Sequence, residues 1–348
     1  MKAAVLSEYG KFIWTEVPTP IISSDDVLVK ISYASICGSD QHVFHGEFDG
    51  RTHVPFIPGH EFAGQIVEIG ASVKGYNMGD RVAVDPIFWC GECPACKLGH
   101  FPACRSLKLL GIDTDGGFAE YVAARDFMLF KVDDSIPDTH AALIEVLSIG
   151  FHACNRAGLK AGDTVAIFGT GKVGQCILQA VRTKTDQPVF MVDLLENRLH
   201  IAERTWADVI PINATRQSPV ETIMELTNGR GVDVAFEAIG HAVDIPGALH
   251  PIRQCIQSLR PAGTVCVLGL AEQPAPLVMK ELIFKEATLR TSRVTHGEFA
   301  ETIQHLTQGH LRPDALISAI MPGSEAQQAF MLLEQSPEDY LKILLKFA

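Results

Sequence analysis

The stretch TVAIFGTGKVGQCILQAV, residues 164–181, decides the fold. TVAIF reads as a short buried strand, and QCILQAV carries the apolar spacing of a helix. Between them GTGKVG supplies Gly169, Gly171 and Gly174 with Val173 inside the turn. Asp193 closes the next strand-like run, VFMVD, 19 residues after Gly174. Strand, glycine turn, helix and a distal acid together form a dinucleotide-binding fingerprint. The glycines let the backbone approach a pyrophosphate at a helix N-terminus. Asp193 is expected to accept hydrogen bonds from the adenosine ribose and to repel a 2′-phosphate, which favours NAD over NADP. Arg198 pulls the other way, since a cation there suits that phosphate. Leu268 and Gly269, at the end of TVCVLGL, complete the expected cofactor-binding set. The plainer reading is a glycine-rich turn in a doubly wound fold that binds something else.

Working outward, strand-like runs recur at VFMVD, DVIPIN, VDVAFEAIG, TVCVLGL and ATLRTS, with helical patterns between most of them. That alternation predicts parallel βαβ units. Residues 1 to about 150 have a different texture: short β-branched runs such as VLVKISYA, GQIVEIG and RVAVDP, punctuated by Gly, Pro and Asp. The last segment returns to mixed texture and ends in the strand-like LKILLKF. The expected fold class is α/β, with a β-rich domain split by a doubly wound parallel-sheet domain. The expected boundaries are 1–152, 153–290 and 291–348, the last segment rejoining the first.

The 348 residues are 47% hydrophobic and 20% charged, ordinary for a globular chain with a sizeable core. No apolar run reaches the roughly 18 residues of a membrane span, and MKAAVLSEYGKFIW lacks the pattern of a secretory signal. The expectation is a cytoplasmic protein with reduced thiols. A net charge of −12 without a basic block excludes nucleic acid and anionic membrane as main partners.

Four of the nine cysteines crowd into WCGECPACKLGHFPAC: Cys90, Cys93, Cys96 and Cys104, spaced C-x2-C-x2-C-x7-C. In a reducing compartment this predicts a closed tetrahedral zinc site with no position left for substrate. A redox pair would leave two of the four unexplained. A closed site staples a loop and does no chemistry, so an open one is sought elsewhere. ICGSDQH offers Cys37, Ser39 and His42; IPGHEFAG offers His60 and Glu61; ALIEVLSIGFHAC sets Glu145 in an apolar run. Singly these are weak signals. Glu145 is the hardest to dismiss, because a carboxylate among Leu143, Ile144, Val146 and Leu147 must be paired or metal-bound if buried. His152, in the same apolar stretch, reads as packing.

CGSD at 37–40, GHE at 59–61, the four-cysteine loop, DGGFAEY at 115–121 and GTGKVG at 169–174 together resemble the zinc-dependent medium-chain alcohol dehydrogenase family, over essentially the whole chain. The segment around Glu145 is most similar to polyol dehydrogenases, where a proline usually follows the glutamate; here Val146 stands instead. The resemblance implies a GroES-like catalytic domain plus a Rossmann domain, two zinc ions per chain and NAD. It implies Cys37 and His60 as catalytic-zinc ligands, with Glu61 and Glu145 as a third ligand or a group close behind the ligands, unranked. Ser39 and His42 match the family's proton relay. Zinc would act as a Lewis acid on a bound hydroxyl, and hydride would pass to the nicotinamide. Polyols, sugars or sugar acids are the implied substrates. Arg293, in LRTSRVTHGEF, is placed to meet a substrate carboxylate or, equally, cofactor or backbone. A homodimer or homotetramer is expected. The competing readings are a threonine-dehydrogenase-type enzyme acting on an amino alcohol and, from another class, a zinc-stapled binding protein. The latter predicts one zinc per chain rather than two.

Overall fold

The computed structural model describes residues 1–48, 50–240, 249–271 and 273–347. The chain forms two compact units, Met1–Ser148 with Thr295–Ala348, and Ile149–Val294. These divide a few residues away from the expected 152/153 and 290/291.

The second unit is built on six strands: β1 Val165–Phe168, β2 Val189–Asp193, β3 Val209–Asn213, β4 Val232–Glu237, β5 Leu259–Val267 and β6 Thr288–Thr291. Their order is 3-2-1-4-5-6, and every neighbouring pair is parallel. Helices cover a parallel sheet on both faces, so its central strands read as continuous apolar runs. VAIF of β1 is buried at all four positions. Phe168, Phe190, Ile212, Ile223, Ile252 and Ile256 fill the core on one side. Strand order reverses between β1 and β4, the switch point at whose carboxyl ends doubly wound sheets bind ligands.

In the first unit the strand Asp26–Ser35 is the organiser. Along one edge it pairs antiparallel with Glu61–Ile69; along the other it pairs with Tyr121–Arg125 and then with Lys342–Lys346. The last strand of the chain therefore closes onto one of the first. In this register Ser35 lies opposite both Glu61 and Leu344. Three strands far apart in sequence thus meet just before Cys37. Ala63, Ala83, Ile144 and Phe299 belong to the core beneath them. Among the described residues no helix is long and apolar enough to cross a membrane.

Candidate metal and cofactor sites

Beyond Ser35 the chain turns into the helix Gly38–Phe44. Asp40, in its first turn, accepts a hydrogen bond from the Cys37 amide at 2.8 Å and fixes the entry. The GHE turn brings His60 and Glu61 to the start of the neighbouring strand. Ligand atoms of Cys37, His60 and Glu61 lie within 4.8 Å of one another. His60 and Glu61 are buried, and Cys37 is partly so.

Two neighbours prepare these groups. The Asp40 carboxylate lies 3.1 Å from His60 Nδ1. It holds that nitrogen as a donor, so Nε2, 3.2 Å from Ser39 Oγ, is the nitrogen left to ligate a metal. Lys342, fully buried, pairs with Glu61 Oε2 and also donates to Ser35 Oγ at 3.0 Å. Burial draws the His60 pKa down, but Asp40 and Cys37 outweigh it and carry it well above the usual imidazole range. Burial likewise opposes the charge on Glu61, while Lys342 and His60 hold its carboxyl below the usual range. Glu145 is helped less by the same cations. Burial pushes it up to about 8, Glu61 and Asp85 adding to the rise and His60 and Lys342 opposing it.

The fit to a metal rests on what the side chains leave unsatisfied. Glu61 Oε1 and Glu145 Oε2 are buried without a hydrogen-bond partner, a costly state for carboxylates. A thiol, an imidazole with its free nitrogen fixed, and carboxylate oxygens without donors form a donor set suited to zinc. Sequence reasoning missed Asp40 and Lys342. Asp40 lay within the CGSD motif without a role. Lys342 had the look of an exposed residue in a terminal strand. His42 stands apart on the exposed side of its helix, its Nδ1 2.5 Å from Glu47 Oε2. His152 is buried within the helix Ile144–Ala157.

The four-cysteine loop closes on itself. Cys90 Sγ lies 3.9 Å from Cys96 Sγ and 3.6 Å from Cys104 Sγ, and all four sulfurs lie within 4.8 Å of one another. Four sulfurs at the 2.3 Å zinc–sulfur distance, set tetrahedrally, stand about 3.8 Å apart. A disulfide would bring two of them to about 2.05 Å. Backbone N–H groups of Arg105 and Cys96 hold the Cys93 thiol down to about 6, towards the thiolate a metal requires.

In the second unit the glycine turn follows β1. Gly169 has φ +96°, and a side chain at Gly174 would meet the Gly169 carbonyl oxygen at 1.8 Å. Neither position admits another residue without a shift of backbone. Gly171 caps the helix Lys172–Arg182, and the Arg198 guanidinium lies beside it. Asp193 ends β2, but its carboxylate is already engaged. Thr170 donates to Oδ2 from N (2.7 Å) and Oγ1 (2.8 Å), while the Leu194 and Leu195 amides donate to Oδ1 at 2.7 and 3.0 Å. Leu268 and Gly269 donate their amides to the Glu237 carbonyl at the end of β4. Arg293 is exposed and belongs to this unit, whereas Cys37 and His60 belong to the other.

Comparison with known proteins agrees with this anatomy. Residues 23–134 match the alcohol dehydrogenase GroES-like domain, and residues 173–308 match the zinc-binding dehydrogenase domain. Sorbitol dehydrogenase of Bacillus subtilis is 34% identical over 99% of this chain and 97% of its own. The chain belongs to the zinc-containing medium-chain alcohol dehydrogenase family. L-threonine 3-dehydrogenase of Pyrococcus furiosus is also 34% identical, over 97% of this chain and 96% of its own. A crystal structure of an alcohol dehydrogenase from E. coli CFT073 complexed with NADH superposes with a TM-score of 0.89 at 28% identity, covering 100% of this chain and 99% of that one. The protein is thus a zinc-dependent oxidoreductase of the alcohol dehydrogenase type, and its substrate is a small alcohol.

Proposed function

We propose that the enzyme oxidises a secondary hydroxyl of a polyol, sugar or sugar acid with NAD as hydride acceptor. The observation that carries this reading is the buried cluster of Cys37, His60 and Glu61, with Glu145 close enough for their charges to shift it. Cys37 and His60 would hold zinc, with Glu61 or Glu145 supplying the third donor. Zinc there supplies Lewis-acid polarisation of a bound hydroxyl. Asp40 keeps His60 in the ligating tautomer. Lys342 fixes Glu61 in place and neutralises it. Ser39 would take up a proton from the substrate hydroxyl, and His42, exposed and paired with Glu47, would release it to solvent.

For the cofactor, the glycine turn and the helix start at Gly171 would receive the pyrophosphate. Asp193 would exchange its Thr170 hydroxyl contact for a ribose hydroxyl and repel a 2′-phosphate, with Leu268 and Gly269 lining the same end of the sheet. The E. coli structure with NADH supports NAD. The sorbitol dehydrogenase relative supports a polyol, and the exposed guanidinium of Arg293 offers a carboxylate partner for a sugar acid. An amino alcohol is the second reading, favoured by the threonine dehydrogenase relative. A homodimer or homotetramer is supported by β6, which among the described residues is an outer strand paired to β5 and is exposed at all four positions, a few residues after exposed Ile283 and Phe284. Nine free cysteines suit a cytoplasmic setting.

The test is a panel of hexitols, pentitols, aldonates and L-threonine with NAD and with NADP, followed by nicotinamide absorbance. Turnover of a polyol or aldonate with NAD is expected. A preference for threonine or for NADP overturns the corresponding part. Within the panel, Arg293→Ala should raise KM for an aldonate roughly ten- to a hundredfold and spare a neutral polyol. Equal losses would assign Arg293 to cofactor or scaffold.

A further inference from the structure

The first unit holds a cavity-centred cluster that shares no residue with the candidate metal centre. It encloses about 160 Å³ and is lined by Asp85, Trp89, Phe101, Phe127, Phe130 and His296, among others. Its walls are aromatic. Trp89 and Phe101 stack with centroids 4.1 Å apart and rings 10° from parallel. Phe127 meets Trp89 edge-on at 5.2 Å, and His296 meets Phe101 at 5.5 Å. Phe127, 47% exposed, stands at the mouth.

Asp85 is the one carboxylate in that lining and is 7% exposed. Its oxygens each receive one hydrogen bond, Oδ1 from the Ile87 amide at 3.3 Å and Oδ2 from Thr295 Oγ1 at 3.1 Å. A carboxylate oxygen accepts two, so each retains acceptor capacity. Among the described residues no lysine or arginine pairs with Asp85. Burial, with Glu298 adding to it, pushes its pKa up to about 6 against the two hydrogen bonds that favour its charge. An aromatic-walled pocket with a fixed negative charge is the arrangement that attracts an organic cation, the ring faces and the carboxylate acting on the same charge. The volume corresponds to roughly five water-sized groups, the heavy-atom count of a tetramethylated ammonium.

We propose that this cavity is a binding site for a small organic ammonium, held by Asp85 and the rings of Trp89, Phe101 and Phe127. The proposal is independent of the assignment of alcohol substrate. Its test is titration of the zinc-loaded enzyme with tetramethylammonium and with tert-butanol, a neutral molecule of similar shape. Neither can give up a hydride, so binding is separated from turnover. Calorimetry and the fluorescence of Trp89 report it. Tetramethylammonium should bind at least roughly tenfold more tightly than tert-butanol, and Asp85→Asn should remove that preference. Phe127→Ala, at the exposed mouth and of little consequence for folding, should weaken the cation more than the alcohol. No saturable binding, equal affinity for the two probes, or an unchanged preference in both variants would overturn the proposal. Failure of the polyol panel would leave these results untouched.

Discussion

The four-cysteine loop and the Cys37–His60 centre are both metal sites in one unit, yet they are built in opposite ways. The loop draws its ligands from fifteen consecutive positions, Cys90 to Cys104, and satisfies its sulfurs with one another and with local amides. The other centre gathers Cys37, His60 and Glu61 from two segments, with Glu145 near enough for their charges to shift it, and pairs Glu61 with Lys342, 281 residues away. The first has no donor to spare. The second leaves two buried carboxylate oxygens unsatisfied. A stapling site can be local because it only has to close. A working site carries unsatisfied groups that the rest of the fold must hold apart.

If that contrast is right, damage to the two sites separates cleanly. His60→Gln should lower kcat/KM roughly a thousandfold or more, since Lewis-acid catalysis is worth several kcal/mol. Its melting temperature should move much less. Cys93→Ser should do the reverse, costing a few kcal/mol of stability by analogy with folding-coupled zinc sites, with kcat per folded molecule largely kept. Thermal melts, zinc content and steady-state rates on both proteins decide it. An active-site variant that melts early, or a loop variant with native melting and native zinc, breaks the comparison.

The same contrast explains what could be read in the chain beforehand. The α/β class was legible because strand, glycine turn and helix are contiguous in residues 164–181, and the recurring runs share one local grammar. The four-cysteine loop was legible because its spacing is its geometry. Cys37, His60 and Glu61 stood out singly as possible ligands, and only the family resemblance joined them, since their proximity depends on the register that sets Ser35 opposite Glu61. Lys342 was invisible. A lysine in LKILLKF gives no sign that its strand is buried against Asp26–Ser35. Asp193 was read for its charge, and nothing in VFMVD shows that Thr170, Leu194 and Leu195 already occupy it.

Asp85 belongs to both regions, since it stands five residues before Cys90 and its charge raises Glu145. It allows the electrostatic side of the contrast to be measured. Unfolded, its pKa is near 3.8, and folded it is about 6. Between these values the folded chain holds the proton more tightly, so stability falls as pH rises through the window, and the loss is complete above it. At about 1.4 kcal/mol per pH unit, the gap sets an upper bound of about 3 kcal/mol. Asp85→Asn should therefore gain on the wild type as pH rises from 4 to 7. A stability difference independent of pH would mean that Asp85 is not strained by burial.

The finest test concerns Asp40, which touches no metal in this account but decides how His60 presents itself. The Asp40 carboxylate accepts from His60 Nδ1 and from the Cys37 amide, so one side chain orients two ligands. In Asp40→Asn the amide oxygen still accepts one of these bonds without charge, and the amide group can turn to donate to Nδ1. That would place the imidazole proton on Nε2 and remove the ligating lone pair. Groups behind metal-binding histidines are typically worth about ten- to a hundredfold in affinity or rate. The expected result is a drop towards one zinc per chain under mild chelation, with a matching loss of kcat/KM and little change in melting. The four-cysteine loop, whose sulfurs accept from backbone amides of the loop itself, should keep its zinc under the same conditions. Were Asp40→Asn to hold both ions and full activity, Asp40 would be no more than the first-turn anchor of the helix Gly38–Phe44, and the open site would be as self-sufficient as the closed one.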